Sequence, residues 1–335
     1  MMAGKFPKIE TALTRMLKID YPMIMAPMFL VSNDKMMIAA LNAGIAGAMP
    51  ALNYRTDKEF RSAINNIRTH ANGPIGVNLI VNKSNIKYPE QLETCIEMKV
   101  DFIITSLGSP ETVINACRNT GIKVFCDVID EVQGKKVELL GADAIIAVGK
   151  EAGGHCGPHP IKDLVHKLRE VCKIPIIAAG AVGNGQQMFD RIEFDRADGV
   201  SVGSPFIASV ESPVSMEYKN ACVDYGAKDI VLSTKISGSP CTVINTPYVQ
   251  KIGTKQNWFE NLLSKNKSLK KYIKMFTFFK GMKAVENAAF AATYKTVWVA
   301  GPSIEYVKEI RPVKDIIESY IDTYYEQLGN SYRKR

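Results

Sequence analysis

The chain has 335 residues, of which 46% are hydrophobic and 23% are charged. This composition excludes a disordered or fibrous protein and suits one large domain with an appendage, or two domains. The formal charge of +8 would suit anionic partners, but the basic residues are spread along the chain except in one C-terminal stretch, so a solvated basic surface explains most of them.

The first twenty residues contain no continuous hydrophobic segment of the kind that a signal peptide or a membrane helix requires. The seven cysteines are scattered without CxxC spacing, which argues against a disulfide framework or a zinc ribbon. We therefore expect a soluble cytoplasmic protein with reduced thiols and no membrane partner.

Short apolar runs recur about every 25 residues over the first two thirds of the chain, and each is followed by a stretch compatible with a helix. The predicted strands are residues 23–28, 45–49, 75–80, 102–107, 123–128, 144–148, 175–179 and 199–202. Their near-continuous apolar character indicates strands that are covered on both faces, as in a parallel sheet. Eight such βα units predict an α/β fold, a closed (β/α)8 TIM barrel.

An open doubly wound sheet is the competing architecture. It would use fewer strands and carry a glycine fingerprint after its first strand, where this chain has Ala26, Pro27 and Met28 instead of GxGxxG.

Barrel enzymes carry their chemistry on the loops at the carboxyl ends of the strands. In this sequence, Ala26 to Met28 end the first predicted strand, Asn78 lies near the exit of the third, and the run from Gly149 to His155 follows the sixth. An imidazole directly after flexible glycines is well placed for proton transfer to a bound ligand. Glu151, in the same run, is expected to brace the loop by accepting backbone hydrogen bonds.

Glycine-rich turns follow the seventh and eighth predicted strands. The first contains Gly180 and Ala181, and the second contains Gly203 and Ser204. These exits form the usual phosphate site of a barrel, because small residues let a ligand approach the backbone N–H groups and a helix start adds a favourable dipole. The pattern predicts a phosphorylated cofactor.

A metal site is the other chemistry that this region could carry, because His155, Cys156, His159 and His166 lie within a short span. The intervening Gly157, Pro158 and Pro160 prevent a helical presentation of the first and third of these ligands. We therefore expect no metal.

Beyond residue 210 the barrel periodicity ends. We expect a helix over 211–225, short strands over 231–236 and 242–244, a helix-prone stretch over 257–294 and a terminal helix over 303–328. This divides the chain into a barrel (1–226), a small helical cap over its mouth (227–300) and a C-terminal helix that returns to the barrel (301–335). The cap carries the concentrated basic patch, Lys265, Lys267, Lys270, Lys271, Lys274, Lys280 and Lys283. A charged solvent face is the favoured explanation for it, an acidic partner is the alternative, and no nucleic-acid module accompanies it.

These motifs together resemble the nitronate monooxygenase (2-nitropropane dioxygenase) family, whose close relatives are flavin-dependent enoyl-acyl-carrier-protein reductases. The resemblance spans nearly the whole chain. It rests on residues 26–28, 76–78, 149–155, 178–180, 202–204, 211–213, 300–303 and 311–313, among which Glu-Ala-Gly-Gly-His is the specific signature.

The resemblance implies a non-covalent FMN at the barrel mouth. Its phosphate would lie on the loops of Gly180 with Ala181 and of Gly203 with Ser204. The flavin would be flanked by Asn78, Gly153 and the backbone of Ala26, Pro27 and Met28. His155 would be the catalytic base, and Val148 stands where similar proteins often carry glutamine.

The implied function is oxidation of nitronates or nitroalkanes with O2. The flavin would accept the electrons and His155 would take the proton of a neutral nitroalkane. Two alternatives stay open: an NAD(P)H-dependent enoyl reductase with an acyl carrier protein as partner, and a barrel that binds a phosphorylated ligand without turnover. The segment 236–247 favours the monooxygenase over the reductase. Both a monomer and a homodimer are compatible with the sequence.

Overall fold

The computed structural model describes residues 6–82, 85–234, 240–255 and 297–333. The described residues form eleven strands. These are β1 (Met23–Met25), β2 (Ala46–Pro50), β3 (Ile75–Ile80), β4 (Phe102–Ser106), β5 (Lys123–Val128), β6 (Ala144–Val148), β7 (Gly154–His155), β8 (Ile176–Ala179), β9 (Gly199–Val202), β10 (Ile230–Ser233) and β11 (Cys241–Ile244).

Eight parallel strands close a barrel in the order β1-β2-β3-β4-β5-β6-β8-β9, with β9 pairing back onto β1. The predicted TIM barrel is therefore confirmed and the open sheet is wrong. Most of the strand bounds match the sequence prediction within a residue or two. The first strand ends at Met25 instead of residue 28, because the Ser32 hydroxyl accepts from the Met28 N–H and donates to the Ala26 carbonyl, which turns the chain out of the sheet.

Helices alternate with the strands. In the described residues these are α1 (Ala12–Leu17), α2 (Asp34–Asn42), α3 (Asp57–His70), α4 (Tyr88–Glu97), α5 (Glu111–Cys117), α6 (Glu131–Leu140), α7 (Ile161–Val171), α8 (Gly185–Phe189), α9 (Met216–Asp224), α10 (Pro247–Ile252) and α11 (Val313–Arg333). Local sequence explains their limits: Asp130 caps the start of α6, for example, and Gly141 ends that helix in the left-handed conformation.

The hydrophobic core has two layers. Inside the barrel, Phe102 and Phe125 stack with ring centroids 5.0 Å apart, and Leu13 and Leu17 of α1 pack against the interior residues at the amino ends of the strands. The larger layer lies between the barrel and its helices. Because the bottom of the barrel is filled, the end that is available to a ligand is the carboxyl end.

A small antiparallel sheet, β10-β11-β7, joins the chain after the barrel to the loop that follows β6. The sequence predicted β10 and β11 approximately, but it did not predict β7. Strand β7 has only two residues, which is too short to show a periodicity in the sequence. Its partner residues, Cys241 and Thr242, lie about 90 positions further along the chain.

The C-terminal part begins with a 3-10 turn over Pro302–Tyr306, and α11 then packs against α8 and α2. The predicted terminal helix therefore starts ten residues later than expected. The helix predicted over 211–225 begins at Met216 and is capped by Ser215. The helix-prone stretch 257–294, most of the predicted cap, lies outside the described residues, as do the lysines of its basic patch. Within the described ranges, no helix is long and apolar enough to cross a membrane.

Candidate active site

A cavity of about 820 Å³ opens at the carboxyl ends of the barrel strands. Ten of the eleven residues singled out from the sequence line it. They are Ala26, Pro27, Met28, Asn78, Val148, Gly153, His155, Gly180, Gly203 and Ser204. Ala181 does not line the cavity, although it follows Gly180 directly. The loops after β1, β3, β6, β8 and β9 therefore converge on one space.

The loop after β6 is held from both sides. Thr242 on β11 donates from its hydroxyl to the Ala152 carbonyl at 3.0 Å and accepts from the Gly154 N–H at 2.9 Å. Glu151 accepts the N–H of Ile161 at the start of α7 at 3.2 Å, which is the bracing role expected for it. No sequence motif identifies the buried Thr242, because its hydrogen-bond partner Gly154 lies 88 residues earlier in the chain.

His155 lies on β7 opposite Cys241 and borders the cavity. Burial lowers the pKa of its imidazole below the ordinary value of 6.5, because the charged form loses solvation. At neutral pH the ring is therefore neutral and can accept a proton.

The turn after β8 packs closely against the loop after β6. Gly180 has φ +112°, and a Cβ there would come within 2.8 Å of the Ala152 nitrogen. Ala181 follows in the left-handed conformation at φ +51°. In the described part of the chain, the N–H groups of these two residues donate to no other protein group. Two adjacent N–H groups without a protein acceptor suit an anion.

A helix start follows this turn, because α8 begins at Gly185. The Asn184 side chain caps this helix by accepting the Gln187 N–H at 2.9 Å, and the Gln187 side chain accepts the N–H of Gly183, which precedes the helix, at 2.7 Å.

The turn after β9 faces the same loop. Ser204 accepts the Gly301 N–H at 2.8 Å, and a Cβ at Gly153 would meet the Ser204 hydroxyl oxygen at 2.7 Å. Three loops therefore meet at a point where only glycine fits. The three turns form a glycine cradle, because a larger side chain at Gly153 or Gly180 would clash with Ser204 or with the Ala152 backbone.

Two positioning residues near β1 were missed. The Asn53 side chain accepts the Leu30 N–H at 2.8 Å and donates to the Ser32 carbonyl at 2.8 Å. The Ser32 hydroxyl in turn donates to the Ala26 carbonyl and accepts the Met28 N–H. Neither residue lies in a recognisable motif, and the contacts with Asn53 span more than 20 residues.

A polar network along β3, β4 and β5 was also missed. The Asn78 amide donates to Ser106 at 2.7 Å and to the Ile104 carbonyl at 3.1 Å, and the Ser106 hydroxyl donates to Asp127. Burial raises the pKa of the Asp127 carboxyl to about 6, and the bond from Ser106 only partly offsets this rise. A carboxylate within an apolar strand, KVFCDV, was the available signal.

Val148 presents an aliphatic side chain to the cavity and is paired in register with Ala179. Asp127, the charged group closest in the sheet, is paired with Ile146 on the same strand as Val148. The polar character of this wall therefore comes from β5 and not from β6. Among the residues that the structure describes, no three His, Cys, Asp or Glu side chains are grouped as metal ligands.

Comparison with known proteins gives a consistent result. The family model described as nitronate monooxygenase matches residues 10–322. A dehydrogenase of Rhodococcus jostii that acts on a 5-hydroxy-7a-methyl-1-oxo-octahydro-1H-indene-4-carboxyl-CoA is 29% identical over 244 residues, which is 73% of this chain and 68% of that protein. A probable nitronate monooxygenase of Staphylococcus saprophyticus is 26% identical and covers 73% of this chain and 81% of its own length.

Among solved structures, FabK from Thermotoga maritima superposes with a TM-score of 0.84 at 28% identity, over 98% of this chain and all of that chain. The family match covers nearly all of the barrel, both glycine turns and His155. The chain belongs to the nitronate monooxygenase family and is a flavin-dependent oxidoreductase.

Proposed function

We propose that the protein binds FMN in this cavity and oxidises nitroalkanes or their nitronates with O2. The observation that carries the proposal is the convergence of His155 and the glycine cradle on a single cavity at the barrel mouth. A molecule bound in this cavity would thus face both a proton acceptor and an anion site.

The residues present suit the cofactor. The N–H groups at Gly180 and Ala181, together with the turn of Gly203 and Ser204, would hold its phosphate. Asn78, Gly153 and the loop from Ala26 to Met28 would flank its ring system, with Val148 as an apolar contact. When bound, FMN supplies an acceptor for the electron pair of a carbanion and passes the electrons to O2.

His155 has the base role in this proposal. A neutral nitroalkane carries an acidic C–H next to the nitro group, and the neutral imidazole takes that proton while the electron pair stays on the substrate. Thr242 keeps the loop in place during the transfer, because its hydroxyl bonds to the backbone of Ala152 and of Gly154, on either side of Gly153.

The segment from residue 227 to 300 is proposed to cover the mouth. Its described portion supports this, because Pro240, Cys241 and Val299 line the cavity and β11 pairs with the strand that carries His155. The seven cysteines are all free thiols, which fits the proposed cytoplasmic location.

A second candidate is redox chemistry on an acyl thioester with NADH or NADPH. The Rhodococcus relative, named for a carboxyl-CoA substrate, favours it, and an acyl carrier protein or a coenzyme A group would then be the partner. Membership of an enzyme family argues against the third hypothesis, a barrel that binds a ligand without turnover.

One experiment separates these candidates. The purified protein, loaded with FMN, is mixed anaerobically with a nitronate, a nitroalkane, NADH or NADPH, and the flavin absorbance is followed. Bleaching by the nitro compounds with little response to either nucleotide supports the first proposal. Rapid bleaching by a nucleotide, followed by reoxidation with an enoyl thioester, supports the second. Protein that does not retain FMN contradicts both.

A further inference from the structure

The cavity extends beyond the loops that carry the candidate site. Its lining also includes the loop after β4 (residues 107–110), Ile129 after β5, and Gln133, Lys136 and Val137 of α6. Because α6 packs against the outside of the barrel, these residues carry the cavity over the rim. We call this extension the rim lobe.

We propose that the rim lobe is a second binding subsite, in which Gln133 and Lys136 hold an anionic group at the far end of an elongated substrate. This inference rests on the proposed function, since the reacting end of the same molecule would lie at His155. It names the substrate class: a molecule with a reactive end, an apolar chain and an anionic end. The anion could be the carboxylate of a long nitro acid or a phosphate of a coenzyme thioester.

The strand order places the rim lobe away from the glycine cradle. In the ring of eight strands, β4 is four positions from β9 in either direction, so the two strands lie on opposite sides of the barrel. The loop after β4 is therefore across the mouth from the turn of Gly203 and Ser204. A cofactor phosphate at that turn would leave the rim lobe to the substrate.

The walls of the rim lobe suit an aliphatic chain. Leu107 and Pro110 contribute apolar side chains from the loop after β4, and Ile129 and Val137 contribute them from the other side. The loop after β4 has little freedom to move away, because a Cβ at Gly108 would lie 2.6 Å from the Val81 carbonyl oxygen. Apolar walls that end at a few polar groups are typical of sites that bind small molecules.

Gln133 presents a hydrogen-bond donor to the rim lobe. Its side-chain oxygen accepts the Ile129 N–H at 3.4 Å, and this bond fixes which end of the amide is turned inward along the loop. Within the described part of the chain, the amide NH2 group donates to no protein acceptor. It is therefore available to an acceptor on a ligand.

Lys136 presents a positive charge to the same place. The adjacent Lys135 forms an ion pair with Glu138 at 2.7 Å and does not line the cavity. Lys136 does line it, and across residues 6–82, 85–234, 240–255 and 297–333 no carboxylate lies within 4.0 Å of its Nζ atom. Positions 133 and 136 are three residues apart on one helix face, with Cβ atoms about 5 to 6 Å apart, so both side chains can reach one anionic group.

The charges around the cavity favour this position for an anion. Lys136 is the only lysine or arginine among the described residues that line the cavity, whose lining carboxyls are Asp127 and Glu151. Glu151 accepts the N–H of Ile161, and Asp127 accepts the Ser106 hydroxyl. On α6 itself, the Asp130 carboxylate caps the helix by accepting a backbone N–H. An anionic chain end is thus attracted to the rim lobe and not to the wall of β5.

The test uses amide acids, which carry a neutral amide at one end and a carboxylate at the other, with chains of four, eight and twelve carbons. Their binding to the protein is measured by calorimetry at pH 7.5, with and without FMN. We expect affinity to rise with chain length in wild type. Lys136→Gln should weaken binding of the twelve-carbon acid about five-fold, the upper range for a partly exposed ion pair, and leave the four-carbon acid unaffected.

Gln133→Glu is a second variant with a sharper effect. It keeps an oxygen for the Ile129 N–H and replaces the amide donor with a negative charge, so the twelve-carbon acid should lose at least as much affinity as in Lys136→Gln. Both substitutions are at exposed helix positions, and both new residues are good helix formers.

Lys135→Gln is the matched control, because it removes the same charge from the neighbouring position outside the cavity. It should leave all three affinities at their wild-type values. A neutral probe, 12-hydroxydodecanamide, should bind wild type and Lys136→Gln equally. Failure of the twelve-carbon acid to bind wild type, its equal affinity for wild type and Lys136→Gln, or an equal loss in Lys135→Gln would overturn the proposal.

Coenzyme A distinguishes the two sources of the anion. If its affinity falls in Lys136→Gln but not in Lys135→Gln, the group held is a phosphate of a thioester substrate; if only the long acid responds, it is a carboxylate. Because none of these probes is turned over, a flavin that nitro compounds fail to bleach would contradict the proposed function, while the binding results still decide the role of the rim lobe.

Discussion

His155 shows how the surroundings of one residue define its chemistry. An exposed histidine is half protonated near pH 6.5, whereas the partly buried His155 keeps its neutral form to a lower pH because its charged form is poorly solvated. The neutral imidazole therefore persists under mildly acidic conditions. Proton removal from a neutral nitroalkane should then continue below pH 6.5 before it declines.

For His155→Ala we expect FMN to be retained and activity on neutral nitroalkanes to fall by about 100-fold or more, as is usual when a general base is removed. The loss on preformed nitronates should be smaller, because they need no deprotonation. Steady-state rates on both forms of one substrate, measured at pH 8, check this. Undiminished rates on both would remove the histidine from the mechanism.

Asp127 has a stability cost that depends on pH. Its folded pKa of about 6 exceeds the unfolded value of about 3.9, so the folded state binds more protons between these values and loses stability as the pH rises through that window. Asp127→Asn should therefore be more stable than wild type at pH 8, by up to about 3 kcal/mol, and similar to it near pH 4. Urea unfolding at several pH values measures the difference, and a difference that does not grow with pH would contradict this prediction.

At the level of elements, the exits of the barrel strands carry the candidate site, and each is held by contacts made outside its own loop. The loop after β1 depends on Asn53, and the loop after β6 depends on β11. The turn after β8 depends on backbone conformation, because Gly180 occupies a region of φ that side chains rarely adopt.

Replacing Gly180 with alanine tests that turn. The new Cβ would lie 2.8 Å from the Ala152 nitrogen, so the loop after β6 must move. We expect a stability loss of about 2 kcal/mol and FMN binding at least ten-fold weaker. Flavin titration of the purified apoprotein and urea unfolding provide the two values.

Gly121→Ala is the control for this variant. Gly121 also has positive φ, at +85°, but no atom lies within 4 Å of the place that its new Cβ would occupy. It should therefore cost about 1 kcal/mol through backbone strain alone and leave FMN affinity unchanged. Equal effects of the two substitutions on FMN affinity would show that the close approach at Gly180 is irrelevant.

At the scale of the whole molecule, the C-terminal helix supports the site from outside the barrel. Tyr320 on α11 is 2% exposed and donates from its hydroxyl to the carbonyl of Val182, a cavity residue in the turn after β8. The last helix therefore fixes a turn whose residue Val182 lies 138 positions earlier in the chain.

Tyr320→Ala should destabilise the protein by about 3 to 5 kcal/mol, as expected when a buried aromatic ring is removed, and should weaken FMN binding. Tyr320→Phe removes only the hydrogen bond and should cost about 1 kcal/mol. Thermal and urea unfolding of both variants measure these losses. Wild-type FMN affinity in the Tyr320→Ala variant would show that the C-terminal helix does not support the site.

The sequence alone was sufficient to predict the barrel, because each strand is marked by an apolar run within its own segment. Continuous apolar runs such as 75–80 and 144–148, separated by amphipathic helices, can bury both faces only in a parallel sheet. The glycine turns and the Glu-Ala-Gly-Gly-His run were readable for the same reason, since close backbone approach requires glycine at particular positions.

Asp127, Ser106, Thr242 and Asn53 could not be found in this way. Each acts through a partner 20 or more residues away, on another strand or in the small antiparallel sheet, and among them only Asp127, a carboxylate in an apolar strand, has a signal in its own segment. The amino-acid sequence by itself determined the barrel, its functional end and the position of His155 on it. Only the tertiary structure decided the charge in the cavity and the contacts that hold its loops, because burial and hydrogen-bond partners arise when distant segments pack together.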